Sequence, residues 1–317
     1  MGLFDRFFDL VLKLTDPTPS FAPERCLLER GAVGGCSACA EACPHRAIDL
    51  SSGSVVLEEA DCTGCGLCVG VCPGIALEYP LGPVQEAFQK GQGRLKCSRA
   101  PGEGEEVFCL GRLTPGMLAW AGSRFGALTL ARGDCASCAV GGPAVPEQVE
   151  RMAGEARRYF PELEVRVTTE PLTGAPIGRR ELFQNLFGAT RRLAAEALPE
   201  PPQEILPGDD GTEPLPDELR LRKLAALKAR EVRWPGVRVL EGCTLCPVCQ
   251  NVCPTAAIRR YRDGQERVLE LELERCTGCQ ACVQSCPVQV MEPFDYGKEA
   301  LLEEAIELYR GVPEADS

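Results

Sequence analysis

Cysteine spacing constrains this chain more tightly than its length or its hydrophobic pattern. There are 20 cysteines in 317 residues. Cys243, Cys246, Cys249 and Cys253 run into Pro254, and Cys276, Cys279, Cys282 and Cys286 run into Pro287. Both stretches read C-x2-C-x2-C-x3-C-P. Three thiolates so spaced can wrap one face of a cubane from a single tight loop, while the fourth faces away and ligates a second cluster. The spacing therefore predicts two 4Fe-4S clusters. Site C takes Cys243, Cys246, Cys249 and Cys286; site D takes Cys276, Cys279, Cys282 and Cys253. A structural zinc needs four ligands rather than eight at this spacing.

An earlier pair of runs repeats the pattern with one departure. Cys62, Cys65, Cys68 and Cys72-Pro73 are intact, but the preceding run reads Val33, Cys36, Cys39, Cys43-Pro44. Valine stands where the first cysteine belongs. Cys26 lies ten residues before Cys36, and Gly31, Gly34 and Gly35 between them would let the chain fold back. The expectation is site A on Cys26, Cys36, Cys39 and Cys72, and site B on Cys62, Cys65, Cys68 and Cys43. The rival for site A is a three-cysteine 3Fe-4S cluster that leaves Cys26 free.

Residues 237–292 resemble the bacterial dicluster ferredoxin family over their whole length. Residues 20–80 form the second copy of an internal repeat. Each copy has a cysteine run, a hairpin and another run, with the hairpins at Ala47 to Glu58 and Ala257 to Glu270. Asp263-Gly264 is a turn signal in the latter. The resemblance implies two α+β ferredoxin-like dicluster modules and an electron-carrying role.

Cys97, Cys109, Cys135 and Cys138 remain. They lie in residues 95–172, which read as a small α/β unit. Glu106 to Phe108, Ala127 to Ala131 and Glu164 to Thr168 are strands. One helix is capped by Thr114-Pro115 and closed by Gly126, and another spans Pro146 to Phe160. Strand–helix alternation predicts a parallel sheet, and ligand sites form at the carboxyl edge of such sheets. The stretch Cys109-Leu110-Gly111-Arg112-Leu113, a helix, a strand and Gly133-Asp134-Cys135 resembles the iron–sulfur subunit that links hydrogenase to heterodisulfide reductase. That resemblance implies a fifth cluster, 2Fe-2S or 4Fe-4S, in a central domain. The residues alone also admit a structural zinc, or a redox dithiol at Cys135-Ala136-Ser137-Cys138.

The remaining segments frame these sites. Residues 2–15 (within 1–19) predict an amphipathic helix with Leu3, Phe4, Phe7, Phe8, Val11 and Leu14 on one face. That face packs on its own chain, on a partner or on a membrane surface. A connector over 178–236 has helical patterns at 179–197 and 216–231 around a Pro- and acid-rich stretch. Arg179, Arg180, Arg191 and Arg192 read as a solvated face. Residues 297–311, within a C-terminal segment 293–317, predict a final helix.

The net charge of -12 argues against nucleic acid and for basic protein partners. His45 is the one histidine, so a Rieske-type cluster is excluded. No nucleotide or flavin fingerprint is present. The N-terminus has no signal-peptide pattern, no apolar run reaches membrane-spanning length, and iron-ligating thiolates need a reducing compartment, so a cytoplasmic setting is expected. The sequence thus reads as an electron-transfer subunit with flavin- or hydrogenase-type partners. The alternative is an oxidoreductase acting on disulfides at the central cysteines.

Overall fold

The computed structural model describes residues 18–172 and 214–312. The helix expected over 2–15, the pattern over 179–197 with its four arginines, and nearly all of the Pro- and acid-rich stretch lie outside the described residues.

The first cysteine segment is built from short elements: β1 (Ser20–Phe21), α1 (Ala38–Glu41), β2 (Ile48–Asp49), β3 (Val56–Leu57), α2 (Leu67–Val71) and β4 (Leu77–Glu78). β2 and β3 form the expected antiparallel hairpin. The Glu58 N–H closes it onto the Ala47 carbonyl at 2.9 Å. β1 pairs with β4 and ties the two ends of the segment together. Ile48, Val55, Ala76 and Leu77 fill the small core beneath.

A helix, α3 (Gly82–Lys90), leads into the central sheet of β5 (Arg94–Cys97), β6 (Glu106–Val107), β7 (Ala127–Ala131) and β8 (Glu164–Thr168). The order is β6-β5-β7-β8 and every pairing is parallel. The sequence predicts three of these strands and neither α3 nor β5. β5 lies inside the sheet, so its carbonyls and amides are paired on both sides. Helix α4 (Pro115–Phe125) follows β6, with the Thr114 hydroxyl accepting from the Met117 N–H. Pro115 to Gly122 are all buried, since α4 is covered on every side and reads as apolar all round. Helix α5 (Val145–Ala156) returns the chain to β8.

Beyond the connector, α6 (Asp217–Ala226) packs against α4. The second cysteine segment then unfolds as β9 (Trp234–Val239), α7 (Val248–Val252), β10 (Ile258–Asp263), β11 (Glu266–Leu271), α8 (Ala281–Gln284), β12 (Met291–Tyr296) and β13 (Ile306–Gly311). β10 and β11 form the expected hairpin, and β12 closes back on β9 as β4 does on β1. The helix expected over 297–311 is not formed. A 3-10 turn at Lys298–Leu302 precedes β13, which adds antiparallel to the outer side of β11. Ala, Leu and Glu favour helix locally, but pairing with an available strand edge outweighs a propensity of a few tenths of a kcal/mol per residue, about what separates these residues from one another. Leu95, Leu118, Leu130, Trp234 and Leu271 belong to one continuous core that joins the central sheet to the second segment.

Candidate functional site

One local turn recurs at all four Cys-Pro steps. The third residue after each cysteine, Arg46, Ile75, Ala256 or Gln289, has a left-handed φ of 54°, 55°, 53° or 56°. Its N–H returns to the cysteine carbonyl at 3.3, 3.2, 3.5 and 3.2 Å, respectively. That bend aims the next amide at the sulfur: Ala47, Ala76 and Ala257 donate to Cys43, Cys72 and Cys253 Sγ at 3.3, 3.2 and 3.2 Å. Leu245 donates likewise to Cys243 Sγ at 3.4 Å. Hydrogen bonds of this kind favour a charged sulfur over a neutral thiol.

The effect of each thiol on its neighbours shows which of them lie beside one another. Burial and the charges of Cys72, Cys36 and Cys26 push the Cys39 thiol up to about 11. Cys26 is thus beside the other three, while Val33 is 60% exposed. At site B, burial and then Cys65, Cys62 and Cys43 push Cys68 up, and Cys43 also acts on Cys62 and Cys65. At site C, Cys243 is pushed up by burial, Cys246 and Cys286. Burial, Cys246 and Cys243 push Cys249 up to about 12. At site D, Cys253, Cys276, Cys279 and Cys282 line one cavity. Burial and the charges of Cys253 and Cys279 push Cys276 up to about 12, and the Arg222 guanidinium pulls it back.

The other four cysteines come together from separate elements. Cys97 ends β5, Cys109 follows β6, and Cys135 and Cys138 follow β7, so all lie at the carboxyl edge of the parallel sheet. One cavity is lined by all four. Burial and the charges of Cys65, Cys97 and Cys138 push Cys109 up to about 12, against the Gly111 N–H that lowers it. Amides again face the sulfurs: Gly133 donates to Cys97, Gly111 to Cys109 and Val140 to Cys138, at 3.3, 3.4 and 3.5 Å.

The donor sets suit a polynuclear group. A single tetrahedral zinc with bonds near 2.3 Å would hold its sulfurs only about 3.8 Å apart. Among the described residues, no three His, Cys, Asp or Glu side chains gather closely enough to hold one ion. The thiols are near enough to feel one another's charge, and an iron–sulfur cluster holds such a set of four through several irons. Buried, mutually repelling thiolates also need a cationic centre to remain charged.

Several neighbours of these sites have no signature in the sequence. Arg222, on α6, and Trp234, whose indole N–H donates to the Cys276 carbonyl at 3.2 Å, lie beside site D. His45 and Thr63 flank site B. A repeated tripeptide, Glu-Arg-Cys, marks Cys26 in the sequence: Pro-Glu-Arg-Cys26 and Leu-Glu-Arg-Cys276 form the same 3-10 turn into a cysteine.

The family model of the 4Fe-4S dicluster domain matches residues 34–75 and 242–290. No curated protein and no solved structure matches the chain. The chain carries two ferredoxin-type dicluster modules around a mixed α/β centre with a four-stranded parallel sheet. It is an iron–sulfur protein of the electron-transport kind. Among the described residues, no helix is long and apolar enough to cross a membrane.

Proposed function

We propose that this chain is the relay subunit of a larger cytoplasmic redox complex, with four 4Fe-4S clusters at sites A to D and a fifth iron–sulfur cluster on Cys97, Cys109, Cys135 and Cys138. The domains follow: modules at 20–80 and 237–292, a central domain at 95–172, a connector at 178–236, and terminal segments at 1–19 and 293–317. One observation carries the reading. Four cysteines from three separate strand ends line a single cavity, and amides donate to their sulfurs as they do to Cys43, Cys72, Cys243 and Cys253 of the ferredoxin-type runs.

Clusters bound there supply one-electron carriers whose potentials follow hydrogen bonding to sulfur and burial. The chain's own part is to hold the thiolates, exclude water and aim amides at the sulfurs. No acid, base or nucleophile is needed. A dithiol at Cys135 and Cys138 would leave Cys97 and Cys109 without a purpose in the same cavity, so the disulfide-reducing alternative is disfavoured. The sequence resemblance of Cys109 to Leu113 and Gly133 to Cys135 to the subunit linking hydrogenase to heterodisulfide reductase is what points to a flavin- or hydrogenase-type partner.

Anaerobic reductive titration tests this. The full chain should take up about five one-electron equivalents with bleaching of iron–sulfur absorption. A chain without that absorption that turns over small disulfides would contradict it.

A further inference from the structure

We infer that the central four-cysteine site is joined to the rest of the protein through site B, and that the sites run in one line: central, B, A, D, C. The inference rests on the reading of the central cysteines as an iron–sulfur site.

The contact between the central site and site B is close. A Cβ added at Gly141 would lie 3.0 Å from Cys109 Sγ and 3.6 Å from Cys65 Cβ. A ligand of each site therefore touches the space of one missing methyl group. A Cβ at Gly111 would lie 2.7 Å from the Cys65 carbonyl oxygen. The peptide at Val140 bridges the two sites. Its N–H donates to Cys138 Sγ, and its carbonyl accepts from His45 Nε2 at 2.8 Å and Thr63 Oγ1 at 2.7 Å. Arg112, from the turn after Cys109, donates to the Gly64 carbonyl at 2.7 Å between Cys62 and Cys65. Cys65 is the thiol outside the central set whose charge acts on Cys109.

The second module meets the first on its other side. The turn after Cys72, a site A ligand, packs on the turn after Cys253, a site D ligand. A Cβ at Gly74 would lie 3.3 Å from Pro254 Cβ. Two further bonds hold the modules together without deciding which site faces A: Val33 N–H donates to Ser285 Oγ at 3.1 Å, next to the site C ligand Cys286, and Arg30 Nε to the Asn251 carbonyl at 3.1 Å, between Cys249 of site C and Cys253 of site D. Within each module the sites adjoin, since α1, which carries Cys39, packs on α2, which carries Cys68, and α7, which carries Cys249, packs on α8, which carries Cys282.

Site D also touches the central domain, where Trp234 stands edge-on to Tyr159 with ring centroids 5.0 Å apart. That contact lies past the far end of α5. Val145, at the start of α5, lines the central cavity. A helix of 12 residues separates the two by about 18 Å. The short connection from the central site is therefore to B. In each step one centre loses one electron and its neighbour gains it, with no bond made or broken and no proton moved.

The test is EPR of the full chain reduced with dithionite, with iron counted in each variant. Spin–spin interaction on the central signal should be lost in Cys65→Ser, which disables site B, and kept in Cys246→Ser, which disables site C. Interaction that survives Cys65→Ser, or that disappears in Cys246→Ser, overturns the order. Arg112→Gln removes no ligand and covers the case in which Cys65→Ser does not fold. It should weaken the interaction at unchanged iron content, and an unaltered interaction contradicts the inference. If Cys109→Ser loses no iron, the central site itself falls and the inference with it. If Cys109→Ser loses iron but the interaction ignores site B, the order alone is wrong.

Discussion

At the scale of single residues, Cys26 replaces the ligand that Val33 cannot supply. Its backbone, at φ -83° and ψ 125°, closely matches Cys276 at -75° and 122°, each at the end of a 3-10 turn. Cys26→Ser should lose or convert one cluster and leave the signals of the second module unchanged. An oxidised 3Fe-4S signal already present in the wild type and indifferent to Cys26→Ser would contradict this. Ala256 is exposed and held at φ 53°. Left-handed backbone costs an alanine about 1–2 kcal/mol, and glycine gives back about 0.5–1 kcal/mol in chain entropy. Ala256→Gly should therefore raise the unfolding free energy by roughly 0.5–1 kcal/mol. Urea unfolding of the full chain measures it. The thiols give a pH test. Burial and neighbouring thiolates hold Cys39 up to about 11, and Cys109, Cys249 and Cys276 up to about 12. Ordinary thiols titrate near about 8.5. The folded metal-free chain thus binds more protons than the unfolded chain above that pH. The stability these groups contribute is complete below pH 8.5 or so and is lost as pH rises towards about 11–12. Metal-free protein should lose thermal stability on alkaline titration, whereas the loaded protein, whose sulfurs carry no proton, should resist it.

At the scale of elements, α4 and α6 are held by a buried ionic network. Glu218 Oε1 accepts from Gly116 N–H at 2.7 Å and Arg222 Nε at 2.8 Å, and Oε2 accepts from the Thr114 hydroxyl at 2.5 Å. Arg222 donates on to the Tyr159 hydroxyl at 2.9 Å. Glu218 and Arg222 are only 4% and 8% exposed, so neither charge has water to fall back on. Glu218→Ala strands the guanidinium and removes the carboxylate from the α4 N-terminus. It should cost about 3–5 kcal/mol in urea unfolding. A loss below about 1 kcal/mol would mean the pair is solvated, as exposed pairs are. The same scale explains what the sequence made legible. Cys-x2-Cys runs, the Asp263-Gly264 hairpin and the Thr114 cap are local, and each can be read from a few adjacent residues. β5 has only Arg94-Leu95-Lys96-Cys97 and is defined by partners elsewhere, Leu95 opposite Leu130 and Lys96 opposite Glu106. β13 carries a helix-favouring composition that its pairing with β11 overrides. Gly141 and Gly111 stand out only once the chain has folded, because their value is the room they leave beside Cys109 and Cys65.

For the whole molecule, the repeat sets the design. Each module closes a hairpin and an end-to-end strand pair around two cysteine sets, and the parallel sheet brings a further set to its carboxyl edge. The contacts of the central domain with the first module and of the first module with the second leave the five sets in one continuous body. The central claim is that all five hold iron–sulfur clusters, and metal and sulfide analysis of the anaerobically purified full chain tests it most directly. The account predicts about 18 to 20 irons per chain with matching acid-labile sulfide, the range spanning a 2Fe-2S to a 4Fe-4S cluster at the central site beside four 4Fe-4S clusters at sites A to D. Zinc in place of iron, or no more than about sixteen irons after full reconstitution, would contradict it.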